Sequence, residues 1–216
     1  MEIKNTKITT TGYSSFLIEK SSTIYIDPYN LEQNPKKADI ILITHSHHNH
    51  CDLKSLKKIV KKNTIIIATP DSQSRLLNFD FPIQLELIEP GEEIKIKNTK
   101  ILATHSYSTN NPSHKKENNF VGYLIKFKDL LIYHAGDTDV IPEMQKLTGY
   151  KNKKKYFIAI LPIGAKNTMS PEEAIIATKK IKPDLIIPMH YSENKNIIKD
   201  FEDLCKIEEI NFKILN

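Results

Sequence analysis

The sequence predicts an α/β protein built as an αββα sandwich, two mixed β-sheets packed face to face and flanked by helices. Three observations predict it. Short apolar runs rich in β-branched residues precede any helix; strand-rich and helix-bearing stretches then occur twice; and the last third of the chain alternates strand with helix. No linker divides the 216 residues, a length that a single domain accommodates, so residues 1–216 are read as one domain.

The elements follow in order. Ile3 to Thr10, Tyr13 to Glu19, Thr23 to Ile26 and Ile40 to Thr44 read as strands separated by polar turns. From Asp52, placed to cap a helix, the period changes, with Leu53, Leu56, Ile59 and Val60 on one face. Thr64 to Ala68 is the next buried strand. Residues 92 to 105 read as a hairpin turning at Asn98, and Val121 to Phe127 with Leu130 to Tyr133 repeats that device. After the strand Tyr156 to Leu161 comes a helix from Pro171 to Ile181, signed by Ser170 as its cap, Pro171 at its first position and Glu173 closing a capping box. Leu185 to Pro188 is a strand, and an amphipathic helix near Asn196 to Ile207 follows it.

Composition excludes several classes. With 39% hydrophobic and 26% charged residues and no low-complexity tract, the chain is of the globular kind rather than the disordered. Its net charge of +5 comes from 31 basic and 26 acidic residues, and Arg75 is the sole arginine. Scattered lysine reads as a solvated surface, whereas a nucleic-acid footprint gathers its cations and uses arginine forks. No run approaches the roughly 18–20 apolar residues of a membrane span, and the N-terminus lacks the pattern of a signal peptide, so the expected compartment is the cytoplasm. Cys51 and Cys205 lie far apart and are expected to be free thiols.

The chemistry gathers in Thr44-His45-Ser46-His47-His48-Asn49-His50-Cys51-Asp52, which places four of the eight histidines in six positions directly after an apolar strand. His45 and His47 lie two apart, so in an extended segment their rings leave on the same side, and the following turn brings His50 in from another direction. Neutral imidazoles grouped this way make a ligand set for zinc, iron or another transition metal. The competing reading is a solvated polar loop. Two other strand ends supply candidates: Tyr133-His134-Ala135-Gly136-Asp137-Thr138, where a turn of small residues exposes Asp137, and Pro188-Met189-His190. Residues at the ends of adjacent strands converge on one sheet edge, which allows a carboxylate and a histidine from distant sequence to complete one site.

Together with Gly12-Tyr13-Ser14-Ser15-Phe16, Ile26-Asp27-Pro28 and Ile187-Pro188-Met189-His190-Tyr191, these pieces resemble the metallo-β-lactamase superfamily, in particular its branch of small metal-dependent hydrolases that includes relatives of ascorbate-6-phosphate lactonase. That family's cluster reads Thr-His-x-His-x-Asp-His. The resemblance implies that His45 and His47 bind a first metal, that His50 and His190 bind a second, that Asp137 bridges both, and that Asp27 braces the site from behind; a plain turn aspartate before Pro28 is the alternative for Asp27. The remaining histidine ligand is His105 or His114, with His114 favoured. Tyr107 and His48 are read as loop residues before ligands, and Cys51 as a packing residue before a soft-metal ligand.

One departure concerns the catalytic position. Asn49 stands where the family has aspartate, and a neutral amide neither takes a proton from water nor binds a second cation as a carboxylate does. By the size of general-base effects the change costs roughly 10²–10⁴-fold in rate. The implied function is hydrolysis of an ester, lactone or phosphodiester, with zinc (one or two ions) as the expected cofactor and Mn2+ or Fe2+ as alternatives. A catalytically weak metal-binding or regulatory protein on the same scaffold is the alternative, and a nucleic-acid-processing enzyme ranks last. The expected partner is a small-molecule substrate with no membrane, a homo-oligomer being left open, and the loops Leu31 to Lys37 and Tyr107 to Asn119 are expected to wall the pocket.

Overall fold

Runs of isoleucine, valine, tyrosine and phenylalanine, bounded by Asn, Lys, Gly and Pro turns, build thirteen strands among the described residues. The computed structural model describes residues 1–77, 83–165, 168–191 and 195–215. They form two compact units, Met1–Glu89 with Leu215, and Pro90–Ile214, each carrying one mixed sheet.

The sheet of the first unit takes its strands in chain order: β1 (Glu2–Ile3), β2 (Thr6–Gly12), β3 (Ser15–Glu19), β4 (Thr23–Ile26), β5 (Ile40–Ile43), β6 (Ile65–Ala68) and β7 (Gln84–Leu87). Pairing is antiparallel from β1 to β4 and parallel from β4 to β7. The run expected as one strand from Ile3 is divided, because Lys4 and Asn5 both take left-handed φ values of 49° and 53° in a two-residue hairpin turn. Helix α1 (Leu53–Ile59) makes the crossover between β5 and β6, and α2 (Gln73–Leu77) precedes β7. Asp52 caps α1 as its position suggests, accepting from the backbone N–H groups of Lys54 and Ser55. Leu56 and Ile59 of α1 pack with Tyr25, Ile41, Ile43 and Ile66, each fully buried side chain contributing roughly 1.5–3 kcal/mol. The mostly exposed β7 is only four residues long, and its short alternation of Gln84, Leu85, Glu86 and Leu87 was not read as a strand.

The second unit repeats the scheme. Its sheet runs β8 (Glu93–Ile96), β9 (Thr99–His105), β10 (Val121–Lys126), β11 (Leu130–His134), β12 (Tyr156–Pro162) and β13 (Leu185–Met189). Pairing is antiparallel through β11 and parallel after it. Helix α3 (Pro171–Ile181) crosses from β12 to β13, and α4 (Lys195–Ile207) follows. Both units pass from hairpins to parallel crossovers, which gives physical form to the alternation read twice in the sequence. No helix among the described residues is long and apolar enough to cross a membrane. Both cysteines are free thiols, as expected.

Parallel strands matter for function because their carboxyl ends leave loops on one edge, where open α/β sheets place ligands. Asp27 and the histidine cluster follow β4 and β5, while Asp137 and His190 follow β11 and β13.

The predicted capping box on α3 is present: Ser170 Oγ accepts from Glu173 N at 3.3 Å and Glu173 Oε2 accepts from Ser170 N at 2.8 Å. Ser170→Ala should therefore lower the unfolding free energy by about 1 kcal/mol, read from a urea melt, and an unchanged midpoint would show that the box contributes nothing.

Candidate metal centre

In the first unit the site grows from a buried carboxylate. Asp27 is fully buried just past β4, with φ at 45°. Its Oδ1 accepts from Thr44 N at 2.8 Å, and its Oδ2 accepts from Thr44 Oγ1 and from His50 Nδ1, each at 2.7 Å. Thr44 thus gives its single hydroxyl proton to Asp27, which leaves the oxygen to accept from His45 Nδ1 at 2.9 Å. Both histidines carry their proton on Nδ1 and keep the Nε2 lone pair for another partner. This is the outer-shell arrangement that orients metal-binding imidazoles.

The chain then curls. His50 N and Cys51 N both donate to His47 O at 2.9 Å, which swings His50 back until its ring centre lies 4.0 Å from that of His45. His45 Nε2 lies 3.0 Å from His47 Nδ1. Ligands at about 2.0–2.1 Å around a tetrahedral zinc are separated by about 3.3 Å, so this pair of nitrogens fits one ion. His45 and His47, expected on one ion, are brought together, and His50, expected on a second, lies beside His45.

The second unit gathers the other three. Asp137 Oδ2 lies 3.0 Å from His190 Nε2 and 3.7 Å from His114 Nε2, and all three residues are buried. A carboxylate at such depth among imidazoles suits a cation. The turn was expected to expose Asp137, and here the structure corrects the sequence reading: Asp137 is only 5% exposed. Gly136, at φ 68°, packs so closely that a Cβ would stand 2.8 Å from Ser106 Oγ and from Val121 O. The turn is also sewn to the loop that carries His114. Thr138 Oγ1 donates to Tyr107 O at 3.0 Å and accepts from Tyr107 N, while Asp139 Oδ2 accepts from Ser108 Oγ and Thr109 N, each at 2.8 Å. Asn111 holds His114 Nδ1 at 2.9 Å, and this turns Nε2 toward Asp137.

His105 stands apart from this group. It lines a cavity of about 160 Å³ with Glu143, Lys146, Leu147 and Tyr150, and burial, aided by Lys116 and Lys146 against the pull of Glu143, holds its imidazole below the usual range. Of the two histidines in question, His114 is the one beside Asp137. Tyr107 donates to Glu143 Oε2 at 3.0 Å, and Lys116 pairs with the same carboxylate at 2.7 Å, so the tyrosine secures its loop. His48 is exposed and meets Tyr29 edge-on at 5.8 Å. Asn49 is half-buried on the turn. Cys51 lies in the core, where burial pushes its thiol up to about 12, so it packs as a neutral group.

Sequence reasoning missed Thr44, Asn111, Thr138, Asp139 and Gly164. The hydroxyl and amide residues carry a signal only once their partners are known in space. Gly164 reads as any loop glycine, yet a Cβ there would stand 2.1 Å from the carbonyl oxygen of His190.

Comparison with known proteins bears on this geometry. Residues 7–190 match the sequence profile of the beta-lactamase superfamily domain. The chain is 32% identical to a UPF0173 metal-dependent hydrolase of Archaeoglobus fulgidus, over 93% of this chain and 89% of that protein. A crystal structure from Parabacteroides distasonis, assigned as a metal-dependent hydrolase, is 30% identical and matches with a TM-score of 0.84 over 98% of this chain and 94% of its own. Igni18, a metallo hydrolase from Ignicoccus hospitalis, shares the fold at 23% identity, with a TM-score of 0.77 over 98% of this chain and 95% of that one.

Two substitutions test the supports. Asp27→Ala removes the acceptor of three donors, and at roughly 1–3 kcal/mol for each buried donor left unsatisfied it should cost about 3 kcal/mol or more in a denaturant melt; a loss below 1 kcal/mol would contradict the network. Gly164→Ala should cost about 1–3 kcal/mol through overpacking and shift the imidazole NMR signals of His190. Unmoved signals would show that the close approach does not position that ring.

Proposed function

We propose, since this chain belongs to the beta-lactamase superfamily and, within it, to the family of UPF0173 metal-dependent hydrolases, that it is a metal-dependent hydrolase whose ions are held by His45, His47, His50, His114, Asp137 and His190. Family membership supports reading the two residue groups as parts of one metal-binding function. The observation that carries the reading is the hydrogen bonding behind the first group, where Asp27 and Thr44 commit the Nδ1 protons of His50 and His45 and leave Nε2 on each ring as a ligand.

Imidazole with a carboxylate suits zinc best, and Mn2+ or Fe2+ are the alternatives. A divalent ion supplies Lewis acidity and lowers the pKa of bound water to about 7. This chain's residues do the rest. Asp27 and Thr44 hold two rings in one tautomer, Asn111 orients His114, and Asn49 offers an amide that hydrogen-bonds but takes no proton. The substrate class this supports is a small ester, lactone or phosphodiester, each with an electrophilic centre that a cation polarises. The half-buried Asn49 favours a second reading, a metal-binding or regulatory protein of weak activity on the same scaffold.

Elemental analysis of protein purified without added metal should find zinc, and His47→Ala should lose bound metal together with turnover of generic phosphodiesters and lactones. Equal turnover in wild type and variant would remove the hydrolase claim. Asn49→Asp should add a second ion and raise turnover by about 10²-fold, the lower end of general-base effects. Wild type that already turns over as fast as Asn49→Asp would discard the weak-activity reading.

A further inference from the structure

The turn Pro70–Ser72 leaves β6 beside the segment that leaves β5, since the two strands pair in parallel with Ile43 opposite Ala68. Asp71 lies in that turn and Arg75 four residues on, in α2. Both reach the same residue. Asp71 Oδ2 accepts from Ser46 N at 2.9 Å, and Arg75 Nη1 donates to Ser46 O at 3.1 Å. Ser46 is the residue between His45 and His47.

The geometry of a peptide chain gives this double grip its meaning. The N–H of Ser46 lies in the rigid peptide plane shared with His45, and its C=O lies in the plane shared with His47. One bond would fix one plane and leave the other able to rotate. Two bonds, each with an ionised side chain and therefore stronger than a neutral pair, fix both planes and with them the directions in which the two imidazoles leave the backbone. We infer that Asp71 and Arg75 form a backbone clamp that sets the separation of the His45 and His47 rings; they are positioning residues, and the inference rests on the metal centre proposed above.

Two further observations support it. Asp71 Oδ1 is buried and has no hydrogen-bond partner among the described residues, so the carboxylate sits there at a cost and its other oxygen is what it is placed for. Every other one of the 31 basic residues is a lysine. The one guanidinium, a planar fork of weaker hydration than an ammonium, is spent on a half-buried backbone carbonyl between two candidate ligands.

The test compares wild type, Arg75→Ala, Arg75→Lys, Asp71→Asn and, as a control, His47→Ala. Zinc affinity is measured by competition with a chromophoric chelator, geometry from the visible spectrum of the cobalt-loaded protein, and folding from the melting temperature of the metal-free protein. Arg75→Ala should weaken zinc binding about 10–100-fold, the usual effect of losing an outer-shell partner, and alter the cobalt spectrum. Asp71→Asn and Arg75→Lys should lie between it and wild type, all three melting close to wild type without metal. Wild-type zinc affinity and an unchanged cobalt spectrum in Arg75→Ala would overturn the clamp alone. A loss of affinity matched by an equal collapse of the metal-free protein in all three variants would also overturn it, since that is a folding effect. Wild type that binds no more zinc than His47→Ala would remove the metal centre itself and the clamp with it.

Discussion

The Asp27 carboxylate is the constraint on which the first group of candidate ligands depends. A buried carboxylate must be surrounded by donors, and Asp27 takes three from two residues, Thr44 and His50. Because Thr44 spends its proton there, His45 must in turn spend the proton of its Nδ1 on Thr44. One charge, placed at the end of β4, thereby decides the protonation pattern of two imidazoles at the end of β5. Remove the charge and the tautomers of both rings lose their reason.

The second group is ordered differently. Its central carboxylate, Asp137, points at imidazoles, and backbone contacts from a neighbouring loop secure it: Thr138 and Asp139 bind residues 107 to 109, and the same loop goes on to present His114. Close backbone packing at Gly136 and Gly164 does the remaining work by admitting no side chain. Charge organises one set, and sterics with loop stitching organise the other.

Much of this was legible in the sequence, and the reason is periodicity. Short apolar runs rich in isoleucine, such as Ile40 to Ile43, and bounded by polar turns read as buried strands, as does Tyr156 to Leu161, and the Ser170, Pro171, Glu173 signature marks the start of α3. The histidine spacing foretold which imidazoles in the first unit would meet. What stayed hidden depends on contacts remote in sequence. β7 is mostly exposed and only four residues long, too short for its alternation to stand out, the burial of Asp137 follows from packing around Gly136, and the Asn111 contact that orients His114, the histidine already favoured, shows only in space. The Asp27 alternatives, brace or plain turn residue, separate only when Thr44 and His50 are seen around it.

The shared pairing scheme of the two sheets also carries a consequence for the order of assembly. Hairpins such as β8–β9 and β10–β11 join residues close in the chain, whereas each parallel pair waits for an intervening crossover and so closes a longer loop. Asp137 follows the hairpin strand β11, whereas His190 is reached only after the β12–α3–β13 crossover. On the loop-closure argument, the strand that leads to Asp137 pairs at a smaller entropic cost than the strand that leads to His190.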